Sequence, residues 1–191
     1  MQDKADIRTF AAGLSDEGKI DFFGDKTKAA LFDAGLLAPE DYFKRLENID
    51  LSGIAIPDDA TIRHVMFGEF TNPTSKDPSG RLSGGGHASA NLLELERRGI
   101  AYNITRTSTN GVRFGNLPRH SRKKKQTGDG QAWFPEPWTE HDVRVAGLVS
   151  ANKGTAPPGY ARAKLARYKD VNIITWSDAG RIQTIAPYNM Q

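Results

Sequence analysis

One stretch, residues 63–87, restricts the possible folds of this chain more than any other. It reads Arg63-His64-Val65-Met66-Phe67-Gly68-Glu69-Phe70, then a Pro/Ser/Gly-rich connection, then Ser83-Gly84-Gly85-Gly86-His87. Two histidines bracket a flexible segment and stand 23 positions apart, the second directly after three glycines. Without a Cβ, a glycine run lets the backbone approach a neighbour closely and aim N–H groups at an anion. A histidine beside such a turn is well placed to move a proton at a phosphate.

The 191 residues suit one domain, or one domain with an appendage. An apolar content of 38% is enough to build a core, and no apolar run approaches the ~20 residues of a bilayer span. The start, Met1-Gln2-Asp3-Lys4, is polar and mixed in charge, unlike a signal peptide. A soluble chain is expected. Cysteine is absent, which excludes disulfides, thiolate zinc sites and a cysteine nucleophile, and suits a protein that crosses compartments. The net charge is only +3, but bases crowd between Arg97 and Lys125 while the first sixty residues are acid-rich. Such asymmetry favours a polyanion on the second half, against the plainer reading of a solvated basic loop.

Residues 4–50 read as short helices, with starts at Ser15-Asp16-Glu17 and Pro39-Glu40-Asp41 and apolar spacing through Tyr42, Phe43 and Leu46. Residues 54–59 read as a connector. Beyond it, Ile62, Val65, Phe67 and Phe70 favour a strand around His64, and residues 72–80 a mobile loop. A helix is expected over 88–98, stopped by Gly99, then a strand over 100–105 turning at Asn110-Gly111 into Val112-Arg113-Phe114. Residues 117–130 form a basic exposed loop. Trp133-Phe134-Pro135 and Trp138 read as core anchors rather than base-stacking rings, and Thr139 with Asp142 as the cap of a helix to about Asn152. A hairpin closes the chain, 171–176 and 181–185 joined at Ser177-Asp178-Ala179-Gly180.

His64, His87, a lysine of Lys123-Lys124-Lys125 and Thr184 are the side chains that could share a cleft. Two imidazoles and an ammonium suit RNA cleavage by internal attack of the 2′-hydroxyl. One ring takes the hydroxyl proton, the other protonates the leaving 5′-oxygen, and the amine offsets phosphorane charge. No residue spacing suggests a metal site, and no cofactor is expected.

The two histidine motifs resemble those of the EndoU endoribonucleases. Asn110-Gly111-Val112-Arg113-Phe114-Gly115-Asn116-Leu117-Pro118-Arg119-His120 and the run from Gly128 to Thr139 resemble the family's bacterial branch, which supplies toxin domains of polymorphic and contact-dependent inhibition systems. The resemblance spans residues 61–187 in family order. It implies a metal-independent RNase, often uridine-preferring or tRNA-directed, that leaves a 2′,3′-cyclic phosphate. Carried over, His64 is the general acid and His87 the general base, with the Gly86 N–H near the scissile phosphate. Lys125 is the catalytic lysine, with Lys124 as fallback, and Thr184 bonds phosphate or base. The family's aromatic residue two places on is Ala186 here, with Tyr188 as a substitute. His120 contacts phosphate or assists catalysis, or is simply exposed, and His141 is expected at the surface.

The expected organisation is α+β: a helical segment over 1–56, serving in packing, delivery or docking, then a nuclease domain over 57–191 on a twisted antiparallel sheet of the barnase/EndoU-like type. The expected protein is a monomer that acts on RNA, tRNA foremost, in the cytoplasm of a target cell, restrained by a cognate immunity protein. Two rivals remain: a non-catalytic nucleic-acid-binding module using residues 97–125, and a metal-dependent phosphodiesterase of the same architecture.

Overall fold

The computed structural model describes residues 4–178 and 180–191; the N-terminal tripeptide and Ala179 of the expected closing turn lie outside them. The chain separates into two compact units, Met1–Ala55 and Ile56–Gln191.

The first unit is helical: α1 (Lys4–Ala12), α2 (Asp16–Phe23) and α3 (Lys26–Asp33). Ser15 and Asp25 cap α2 and α3 by accepting backbone N–H groups, and Gly24 ends α2 in the left-handed region. Phe23, Leu31, Phe32 and Tyr42 form its buried centre. Lys28 is 2% exposed, and its Nζ donates to the carbonyls of Tyr42 and Lys44, both at 2.6 Å. These bonds hold the following segment as 3-10 turns (Pro39–Asp41 and Leu46–Asn48), not the helix its apolar spacing suggested. Competition by a side-chain donor for these backbone carbonyls outweighs weak local periodicity there.

The second unit begins with α4 (Asp59–Phe67), which carries His64. Here the expectation of a strand is corrected. Asp58 accepts the Thr61 N–H as an N-cap, Ile62 and Val65 are buried one helical turn apart, and Gly68 stops the helix at a φ of 81°. Thr61, Ile62 and Val65 are β-branched and mimic a strand, but the cap and the buried stripe decide for helix. A short ribbon follows, β1 (Glu69–Phe70) against β2 (Leu82–Gly84). The 72–80 connection between them is tethered, because buried Asp77 pairs with Arg81 and Arg119.

After α5 (Ser89–Arg97) come β3 (Asn103–Thr107), β4 (Arg113–Asn116) and β5 (Gln131–Trp133), an antiparallel sheet in the order β3-β4-β5. Leu82, Leu92, Leu95, Ile100, Leu117 and Trp133 pack as one cluster beside it. Then α6 (Glu140–Lys153), closed by the Thr139–Asp142 capping box, leads to β6 (Ala163–Tyr168), β7 (Val171–Asp178) and β8 (Arg181–Pro187). These strands form a second antiparallel sheet in the order β6-β7-β8. The class is α+β as expected, but the sheet is divided into two three-stranded sheets and a ribbon. The hairpin partner β6 was missed because Lys164 and Arg167 interrupt the apolar alternation of AKLARY; positive φ at Lys169 and Asp170 makes its turn. His141, expected at the surface, is buried in the first turn of α6. No helix among the described residues is long and apolar enough to cross a membrane.

Removal of the α4 cap by Asp58→Ala is expected to cost about 1 kcal/mol. Urea denaturation followed by tryptophan fluorescence checks it, since Trp133, Trp138 and Trp176 all belong to the second unit.

Candidate active site

Helix α4 and the glycine turn meet through the backbone. The His64 carbonyl accepts both the Gly68 N–H and the Gly86 N–H, each at 3.0 Å, and the Val65 carbonyl accepts the His87 N–H at 2.6 Å. Gly85 and Gly86 take φ of 61° and 68°. A Cβ on Gly85 would lie 2.0 Å from the His64 carbonyl oxygen, and one on Gly86 2.6 Å from the Asn91 amide. Only glycine allows this approach. The Gly86 N–H expected to meet a phosphate is therefore spent on His64, and the turn's donors serve as a cap for α4.

The other side of the turn is held by β5. His87 is buried, its Nδ1 lies 2.7 Å from the Ala132 carbonyl, and its own carbonyl accepts the Phe134 N–H at 2.6 Å. A carbonyl can only accept, so Nδ1 carries the proton and Nε2 keeps its lone pair. Burial first, then the charge of Lys125, lower the His87 pKa to about 3, so the ring is neutral. His64 Nδ1 lies 2.8 Å from Glu69 Oε1, which orients that ring by a carboxylate instead.

Both histidines, Glu69, Lys124, Lys125, Thr184 and Tyr188 line one cleft of about 980 Å³. Lys125 is partly buried at the end of the 3-10 turn Lys123–Lys125, and its Nζ donates to Gln131 Oε1. Burial and the adjacent Arg122 and Lys124 lower its pKa to about 8. Lys124 is exposed, so Lys125 is the inward-facing amine of the pair. Among the described residues the Thr184 hydroxyl, on a residue that lines the cleft, is buried without a hydrogen-bond partner. Tyr188 reaches the cleft too, beside Ala186.

His120 departs from both of its expectations. It is fully buried, Nδ1 accepts the Arg122 N–H at 2.9 Å, and its carbonyl accepts Gln126 Nε2 at 2.7 Å. It shapes the lysine turn and does not face substrate; burial, Lys125 and Arg122 lower its pKa to about 4. Glu69 and Gln131 were missed as site residues. Glu69 stands five places after His64, a spacing that a helix ended by glycine brings back to the ring; Gln131 carries no local signal at all.

Arg122, Lys124, Lys125 and Arg181 line the cleft, and Glu69 is its one carboxylate among the described residues. Two differently held imidazoles and a partly buried amine in a cationic cleft, on an α+β scaffold, are groups suited to handling a phosphodiester. The bacterial EndoU nuclease family model matches residues 58–187. The match covers more than half of the chain, which therefore belongs to that nuclease family. Among solved structures it is similar to endoribonuclease Nsp15 encoded by Middle East Respiratory Syndrome Coronavirus, at 14% identity and a TM-score of 0.37, over 80% of this chain and 38% of the viral one. The chain thus spans well under half of that protein's length. No curated protein matches it.

Folded His87 and His120 hold values of about 3 and about 4. The unfolded rings take up protons near ~6.5, which the folded rings refuse, so stability is complete above that pH and falls as pH drops toward 4. The expected result is a melting temperature that declines from pH 6.5 to 4.5, with a shallower slope in His120→Asn, whose amide oxygen can still accept the Arg122 N–H.

Proposed function

We propose that the second unit cleaves RNA without a metal, by attack of the 2′-hydroxyl on the adjacent phosphorus, and leaves a 2′,3′-cyclic phosphate. The observation that carries this reading is the complementary fixing of the two rings, His87 by a carbonyl and His64 by a carboxylate, in one cationic cleft. His87 Nε2 takes the 2′-hydroxyl proton as the O2′–P bond forms. His64 gives a proton from Nε2 to the 5′-oxygen as the P–O5′ bond breaks, and the Glu69 carboxylate stabilises the ring that carries that proton. The Lys125 ammonium offsets the charge that gathers on the phosphorane oxygens. The cations that hold down the His87 value are partly neutralised when a phosphodiester anion enters, so the base strengthens as substrate binds. Thr184 Oγ1 binds phosphate or base, Tyr188 packs on the nucleotide in place of the aromatic group that Ala186 lacks, and Lys124 steers the RNA in.

The motif pattern of the bacterial branch supports a further reading, that this is the toxin domain of a delivered effector, monomeric and active on tRNA in the cytoplasm of a target cell. An RNase of this kind endangers the cell that makes it, so a cognate immunity protein that covers the cleft completes the reading; the cationic rim favours an acidic one.

Total tRNA incubated in EDTA with wild-type, His64→Ala and His87→Ala protein tests the chemistry. Cleavage with cyclic phosphate ends is expected from wild type, and each variant is expected to lose about 10²–10⁴-fold. Binding without cleavage would point to a recognition module, and cleavage abolished by EDTA to a metal-dependent reaction.

A further inference from the structure

Gln131 is 1% exposed, yet every polar atom of its side chain is engaged at the edge of the cleft. Its Nε2 donates to the Gly85 carbonyl at 3.1 Å and to the Gly86 carbonyl at 2.7 Å, while Oε1 accepts from Lys125 Nζ. The orientation of the amide is dictated by chemistry: an ammonium only donates and backbone carbonyls only accept, so a flipped amide would face both partners wrongly. One buried side chain therefore joins the lysine turn to the turn that carries His87. We propose that Gln131 is a positioning residue for cleavage, holding the Lys125 ammonium at a fixed place relative to His87.

Lysine has a flexible stem and a strongly hydrated head, and by itself it is poorly placed in space. The charged and titratable groups around this amine are Arg122 and Lys124 on its own turn, His120 on the preceding loop and His87 on the glycine turn. Arg122 and Lys124 repel an ammonium, and the bond to Gln131 counters the push that would swing it outward. Transition-state stabilisation depends steeply on such placement, since charge is useful only where it develops. Asparagine is one methylene too short to span the same three groups, and a carboxylate would set an acceptor against two carbonyls.

The proposal rests on Lys125 being the transition-state cation, and the test separates the two. Turnover of a mixed-sequence oligoribonucleotide by the full chain is compared for wild type, Gln131→Met, Lys125→Ala and the double variant. Gln131→Met is expected to lower kcat about 10- to 100-fold with KM little changed, and to add almost nothing in the Lys125→Ala background. An equal fold-loss in both backgrounds, or an unaltered kcat in Gln131→Met, overturns the positioning role while leaving the lysine's role intact. An unaltered kcat in Lys125→Ala instead removes the lysine from the mechanism, and the positioning role with it. Gln131→Asn keeps the amide but falls one methylene short, so it too is expected to lower kcat with KM little changed; an unaltered kcat in that variant also overturns the proposal, even should Gln131→Met fail to fold.

Discussion

Two backbone hydrogen bonds at the end of α4 organise this protein. The glycine turn docks on carbonyls of the last helical turn, the Gly86 N–H sharing the His64 carbonyl with Gly68 and the His87 N–H taking that of Val65. That docking brings together histidines that are far apart in the chain, one on a helix and one on a turn. It needs residues that accept positive φ and lack a Cβ, because the backbones approach to a distance no side chain permits. From the opposite side β5 fastens the same turn, through Ala132, Phe134 and Gln131. The site is thus a turn clamped between a helix end and a strand.

The two imidazoles differ chemically because their surroundings differ. His87 is buried against a carbonyl and faces cations, which keeps it neutral with an open lone pair. His64 sits at the helix end with a carboxylate behind it. Division of labour between chemically identical residues follows from environment alone. The lysine turn owes its shape to a third histidine that never meets the solvent, since buried His120 caps Arg122 and anchors Gln126. Basic residues that a linear reading groups together thereby split into an inward amine and an exposed rim.

Some of this was legible in the chain itself. The α+β class, α5 with its glycine stop, the turn at Asn110-Gly111 and the Thr139 cap are written in local signals, because caps and tight turns depend on a few adjacent residues. His64 and His87 were legible as a pair because the residues around each form a recognisable motif. The same local signals misled at α4, where β-branched residues imitate a strand, and at residues 39–46, where spacing imitates a helix.

By itself, then, the order of residues determined the class of fold, the family and the kinds of side chain available for chemistry, since these follow from composition, short-range pattern and motif. Only the tertiary structure decided that the Gly86 N–H faces a helix end instead of the cleft, that His120 is buried, that Lys125 points inward, and that Glu69 and Gln131 stand behind His64 and Lys125. Those outcomes depend on contacts between segments tens of residues apart, and no local pattern encodes which donor a distant carbonyl will take.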